Sequence, residues 1–304
     1  MALEIVREPG VLQCQIAELR QQGLRIGLVP TMGFLHEGHL SLMRQLRPQV
    51  DKLLVSLFVN PTQFGPGEDL DSYPRNLEKD ISLCETVPVD QLFIPAAADI
   101  YPAGYATYVD FERYTDKLCG NSRPGHFRGV GTVVLKLIHI CQPHLVAFGR
   151  KDAQQLFLIK QMVKDFQLPV EIVEGDTVRE ADGLAMSSRN SNLQPQDRIQ
   201  AAALSQVLQS ISDAVALGER DTKQLTALAQ KPMHEYPGFE LEYLEYLNWE
   251  TFENLSEVTF PLLTAIAGRV GRTRLIDNVI LNDIDDAAAK TIVPDFYTPN
   301  LEKS

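Results

Sequence analysis

Leu24-Arg25-Ile26-Gly27-Leu28-Val29-Pro30-Thr31-Met32-Gly33-Phe34-Leu35-His36-Glu37-Gly38-His39 decides the fold of this 304-residue chain. Residues 24–29 read as a buried strand, and Leu40, Met43, Gln45 and Leu46 continue in a helical rhythm that stops at Pro48. The segment between them is a strand-to-helix turn carrying two histidines. At such a turn unpaired backbone N–H groups and the helix dipole favour negative charge, and Gly33 and Gly38 let the backbone approach a ligand closely. Imidazoles placed there can stabilise phosphate oxygens during displacement. Two histidines so spaced also suit helix capping or half of a metal site, and the turn alone does not choose among these.

Further strand-like runs at 53–59, 91–94, 145–148 and 170–173 alternate with helical stretches, including 74–81, opened by Pro74, and 153–166. That alternation predicts an α/β fold with a Rossmann-like, doubly wound parallel sheet, whose ligands bind beyond the carboxyl ends of the strands. At 34.0 kDa two domains are expected. The polar turn 190–195 marks the boundary: a catalytic domain over 1–190, a smaller α+β C-terminal domain over 191–281 that starts with a helix over 196–217, and a tail or linker over 282–304.

Composition narrows the function. A net charge of −12 argues against nucleic acid as the main partner, because phosphate backbones demand basic surface, but permits a small anion in a locally basic cleft. No apolar run reaches the eighteen or so residues that span a bilayer, and residues 1–8 lack the basic-then-apolar order of a secretory leader, which points to the cytoplasm. Cys14, Cys84, Cys119 and Cys141 are widely spaced and read as reduced thiols.

Four other segments carry candidate chemistry. Asn60-Pro61-Thr62-Gln63-Phe64-Gly65 follows a strand, so its polar groups should project at the same sheet edge as the histidines; an ordinary capped loop is the alternative. Gly149-Arg150-Lys151-Asp152 repeats the strand, glycine, helix order, with Lys151 suited to phosphate, Asp152 to a helix cap or a ribose hydroxyl, and Gln155 near the first turn. Met186-Ser187-Ser188-Arg189, after the glycine-containing turn that begins at Val178, puts hydroxyls beside a guanidinium as a phosphate clamp or as a surface turn. Arg123-Pro124-Gly125-His126-Phe127-Arg128-Gly129 brings basic groups ahead of a helical run.

His36-Glu37-Gly38-His39 resembles the HxGH signature of the nucleotidylyltransferase superfamily, and Met186-Ser187-Ser188-Arg189 takes the place of its KMSKS element. With Pro30-Thr31-Met32-Gly33, residues 58–64, Tyr73-Pro74-Arg75, Gly125-His126-Phe127, Lys151-Asp152 and residues 184–190, in that order, the chain resembles the pantothenate synthetase family over roughly 1–281. The resemblance implies ATP-dependent condensation of (R)-pantoate with β-alanine through a pantoyl adenylate, with Mg²⁺ on the phosphates, ATP, pantoate and β-alanine as small-molecule partners, and a homodimer. It implies ATP contacts for Met32, Gly33, Phe34, Leu35, His36, Glu37, Gly38, His39, Gly149, Arg150, Lys151, Asp152, Val178, Met186, Ser187, Ser188 and Arg189. Of these, His36, His39, Lys151, Ser187 and Arg189 would be catalytic, His39 as proton donor. Gln63 and Gln155 would hold pantoate, Gln63 would also meet β-alanine, and Asn60, Tyr73 and Arg123 would belong to the same pocket or its lid. Two departures stand out: Arg150 where many relatives carry Glu or Gln, and Lys79 where an acidic residue is frequent.

Overall fold

The computed structural model describes residues 3–290 and 292, which fall into two compact units divided between Thr177 and Val178. The first unit runs β1 (Glu4–Val6), α1 (Pro9–Gln21), β2 (Ile26–Thr31), α2 (Glu37–Leu46), β3 (Lys52–Leu57), α3 (Leu77–Thr86), β4 (Gln91–Phe93), α4 (Ala97–Ile100), α5 (Leu118–Ser122), α6 (His126–Cys141), β5 (Leu145–Gly149), α7 (Ala153–Asp165) and β6 (Glu171–Gly175). Its six strands form one sheet in the order β1-β4-β3-β2-β5-β6. Every pairing in that sheet is parallel.

Register explains where a ligand would go. Leu28 of β2 pairs with Leu54 of β3 on one side and Val146 of β5 on the other, and all three side chains are fully buried. Apolar runs buried on both faces are what a helix-covered parallel sheet requires. The chain winds outward from β2 through β3 to β4, then returns through α6 to the opposite side of β2, so the strand order reverses between β2 and β5. In open sheets of this kind that reversal opens a crevice at the carboxyl edge.

Helix α6 reaches the segment after β3 at very short range. A Cβ on Gly129 would lie 2.4 Å from the Thr62 carbonyl oxygen and 2.6 Å from the Gln63 nitrogen. Only glycine lets helix and turn meet this closely, because both partners are backbone and neither can swing aside.

The second unit runs α8 (Pro195–Ala201), α9 (Ala203–Ala216), α10 (Thr222–His234), β7 (Phe239–Asn248), β8 (Leu262–Val270), β9 (Thr273–Leu281) and α11 (Ile284–Ala289), with an antiparallel sheet in the order β7-β8-β9. Leu204, Val207, Leu208, Ile211 and Val215 of α9 recur at helical spacing and are completely buried in the core of this unit. The helix expected over 196–217 is thus two helices, broken at Ala202.

Two boundaries differ from the sequence reading. Residues 178–190 group with the second unit, not the first, because long-range pairs hold them there. Arg179 forks onto Asp277 of β9 at 2.6 and 3.0 Å, and Arg198 of α8 bonds Glu180 at 2.8 Å and Asp182 at 2.6 Å. The polar turn after Asn190 has linker composition, yet Asn190 donates to Glu180 and to the Ala185 carbonyl. The tail expected from 282 begins with α11, capped by Asp283, and Ala287 and Ile292 are buried in the second core. Residue 291 and the stretch 293–304 of that expected tail lie outside the described residues. Cys14, Cys84, Cys119 and Cys141 form no disulfide, Cys14 being exposed and the other three buried, and among the described residues no helix is long and apolar enough to cross a membrane.

Gly129→Ala is expected to lower the unfolding free energy by about 1 to 3 kcal/mol, since the added methyl must push backbone away from backbone. Urea denaturation of the variant beside the parent checks this.

Candidate active site

Because β3, β2 and β5 are adjacent and parallel, the segments that leave their carboxyl ends emerge side by side. After β2 the chain turns through Gly33 (φ 84°) and Phe34 (φ 53°) to His36, which is the N-cap of α2 in extended conformation. The His36 N–H donates to Nδ1 of His39 at 3.3 Å, and the two rings stand 4.1 Å apart. With Nδ1 as acceptor, a neutral His39 carries its proton on Nε2. Burial first, then the nearby His36 and Lys151, hold His39 well below the usual imidazole range, so it is neutral at pH 7. His39 as a residue is only partly buried.

After β3 the short turn Pro61–Gln63 carries Gln63, which is nearly buried. Its Oε1 accepts from Asn60 Nδ2 at 3.0 Å, which fixes the amide so that Nε2 points toward Met32, 3.2 Å from its sulfur. Asn60 is itself fully engaged: Nδ2 also donates to the Gly129 carbonyl, and Oδ1 accepts from Thr62 and Tyr101. The Gln63 carbonyl accepts from Nδ1 of His126 at 2.8 Å, and His126 Nε2 faces the Arg123 guanidinium at 3.1 Å. Burial and Arg123 push His126 down to about 4, the neutral form that this donor-and-acceptor pair requires. Arg123 forks onto Glu68 at 2.6 and 2.8 Å, so its place is behind the Gln63 turn as a brace. Tyr73 is buried edge-on to Phe64, 5.9 Å between centroids.

After β5, Gly149 leads into the turn Arg150–Asp152 and then α7. Lys151 lies 3.7 Å from Asp152, and Gln155 is half-buried in the first turns of α7. Arg150 spends its guanidinium on Glu174 and Asp176 at 3.0 Å each, tying this turn to β6. Glu37 is bound by Arg44 two turns along the same face of α2. Leu35 is core.

In the second unit Val178, Met186, Ser187, Ser188 and Arg189 share one folded-back segment. The Met186 N–H donates to the Val178 carbonyl at 2.9 Å, and Ser187 Oγ accepts from the Arg189 N–H at 3.3 Å, capping the turn Ser188–Asn192.

Two contributors have roles that sequence reasoning does not assign. His126 stands in a basic segment that assigns it no role, and Asp80, whose oxygens accept the Phe34 and Leu35 N–H groups, reads as any acid in the first turn of a helix. The motifs around them are visible in the sequence, but the partner that defines each lies far along the chain.

The profile of the Pantoate-beta-alanine ligase family matches residues 4–280. The chain belongs to that family. It is 50% identical over 269 residues to pantothenate synthetase of Pelotomaculum thermopropionicum, covering 88% of this chain and 95% of the relative. It is 49% identical to that of Moorella thermoacetica, covering 92% and 99%. Among solved structures, pantothenate synthetase of Thermus thermophilus superposes with a TM-score of 0.86 at 40% identity, covering 91% of this chain and 98% of that one. The pantoate-beta-alanine ligase of Francisella tularensis, complexed with beta-gamma ATP and beta-alanine, gives 0.75 at 35% identity, covering 92% and 98%. This pantoate-β-alanine ligase family member is therefore an enzyme of the ligase class, with the parallel sheet and small antiparallel domain expected of it.

Two neutral, partly buried imidazoles give this family member a distinctive acid response. Their folded pKa values lie below the unfolded value of 6.5, so the unfolded chain binds more protons as pH falls. Their stabilising contribution is complete above about pH 6.5 and is lost progressively below it, for His126 down through about 4. Glu68 and Glu174 are held below the ordinary carboxylate range by their Arg and Lys partners and surrender stability only at lower pH. Between pH 7.5 and 5 His126 alone should lower the unfolding free energy by about 2 kcal/mol and His39 should add to that fall, measured as a shift in the urea midpoint, and His126→Asn should reduce the slope.

Proposed function

We propose that the carboxyl edge of the first unit is where pantoate is activated by ATP, through a pantoyl adenylate that β-alanine then converts to pantothenate. The observation that carries this reading is the alignment of the His36–His39 turn, Gln63 and Lys151 after three neighbouring parallel strands. In the first step the pantoate carboxylate attacks the α-phosphorus and pyrophosphate leaves; in the second the β-alanine amine attacks the acyl carbon and AMP leaves. Neither step needs a covalent enzyme nucleophile, so the work is positioning and charge stabilisation.

Each residue has a part in that work. Lys151 supplies the fixed positive charge for phosphate oxygens. His39, neutral with its proton on Nε2, donates a hydrogen bond to phosphate without needing to be an imidazolium, and His36 at the helix N-terminus lies beside it. The fixed amide of Gln63 presents Nε2 to the pantoate carboxylate, and Gln155 offers a second amide to the hydroxy acid. Gly33, Gly38 and Gly149 let backbone approach the nucleotide. The second unit carries donors of its own: Ser187, Ser188 and Arg189 suit phosphate oxygens.

Mg²⁺ fits as a companion of the nucleotide, not as a protein-held ion. Both oxygens of Asp80 bond backbone, Glu37 pairs with Arg44, and among the described residues no group of three His, Cys, Asp or Glu could cage a metal. Magnesium bound mainly through phosphates and water needs no such cage. We further propose a cytoplasmic homodimer, which light scattering on the purified chain tests for oligomeric state.

Purified protein with Mg²⁺, ATP and pantoate should release pyrophosphate, and added β-alanine should yield AMP and amide in equal amounts. No pyrophosphate would overturn the reading, and pyrophosphate without amide would confine it to adenylation. His39→Ala should lower turnover about a hundredfold or more while changing stability by under about 1 kcal/mol. Comparable losses of both would assign the ring to capping.

A further inference from the structure

The geometry points to Asp80 as a positioning residue for the reaction: its carboxylate sets the backbone turn that carries His36 and His39. This inference rests on the ATP-binding role proposed for that turn. Asp80 lies in the first turn of α3 and is only 3% exposed. Oδ2 accepts from the Phe34 N–H at 2.9 Å and Oδ1 from the Leu35 N–H at 2.7 Å. Both carboxylate oxygens are therefore committed to the loop between β2 and α2, from a helix more than forty residues away in sequence.

The loop needs such a partner. Gly33 and Phe34 both adopt left-handed backbone, at φ 84° and 53°. Glycine does so freely, but phenylalanine does not, so the conformation must be held from outside. Successive backbone N–H groups in a turn make a concavity suited to an anion, and here a built-in carboxylate fills it. The fit is tight: a Cβ on Gly33 would lie 3.1 Å from Oδ2. Lys79 joins the same hold, its ammonium 5.8 Å from the centre of the Phe34 ring, so the cation that stands where an acid is frequent also bears on this loop.

The consequence reaches the chemistry through geometry alone. Where the Leu35 N–H is anchored, His36 becomes the N-cap of α2, and its N–H then orients His39 through Nδ1. A displacement of the turn moves both imidazoles together. Misplacement by about an ångström can cost a hundredfold in rate.

Asp80→Asn keeps the size but turns an NH₂ group against one of the two N–H donors. Steady-state kinetics of this variant should show the KM for ATP raised about ten- to a hundredfold, with the KM for β-alanine unchanged within about twofold. Asp80→Glu, which keeps the charge on a longer arm, should fall between Asn and the parent, and it supplies the same comparison if Asp80→Asn does not fold. A fall in kcat at unchanged KM values that is matched by an equal loss of folded protein, read by circular dichroism on the same sample, would mean a smaller folded fraction and would overturn the inference; a fall in kcat in fully folded protein supports it. Recovery of the ATP KM at excess Mg²⁺ would also overturn it, since that would make the carboxylate a metal partner. His39→Ala, assayed in parallel, separates the two readings. If it damages adenylation while Asp80→Asn is silent, only the positioning role falls; if both are silent, the site assignment falls with it.

Discussion

The parallel register of β3, β2 and β5 is the constraint on which the candidate site depends. Pairing Leu54, Leu28 and Val146 across three buried strands places three separate loops at one edge, with no further instruction needed. The helices that begin in those loops are fixed by the same core. Leu40, Leu42, Met43 and Leu46 bury one face of α2, and Gln45 of that helix donates to the Glu174 carbonyl at the end of β6. Histidines mounted at its first turn are thus held on rigid structure, which is where catalytic geometry is best kept.

Around that edge the polar groups are arranged so that the charge balance favours an anion. The imidazoles of His39 and His126 are kept neutral by burial and neighbouring cations, while Glu68 and Glu174 are occupied by Arg123, Arg150 and Lys160. Lys151 then contributes positive charge beside helix N-termini, in a chain whose overall charge is −12. Net charge and local potential are different quantities, and the fold separates them.

The second unit fastens its own candidate segment through a buried ion pair. Asp277 is completely buried and receives Arg179 through two bonds, while Arg198 bridges Glu180 and Asp182. Such pairs add little net stability but are costly to break, so they specify position. Here they fasten the segment holding Ser187 and Arg189 to its own sheet.

Much of this was legible in the sequence because it is local. Apolar runs with a period of a strand or a helix, and glycine where a strand meets a helix, identified β2, β3, β4, β5 and β6, their order as an α/β fold, and the three loops that carry His36, Gln63 and Lys151. What tertiary structure alone decided is every pairing between distant residues. The edge strand β1, three residues long with one buried side chain, has too little pattern to announce itself. Asp80, His126 and Arg150 are ordinary polar residues until folding brings Phe34, Gln63 and Glu174 against them. The polar run after Asn190 looks like a linker by composition and becomes structure through Glu180 and Ala185. Periodicity records which face of an element is apolar; it does not record which distant backbone amide a buried carboxylate will meet.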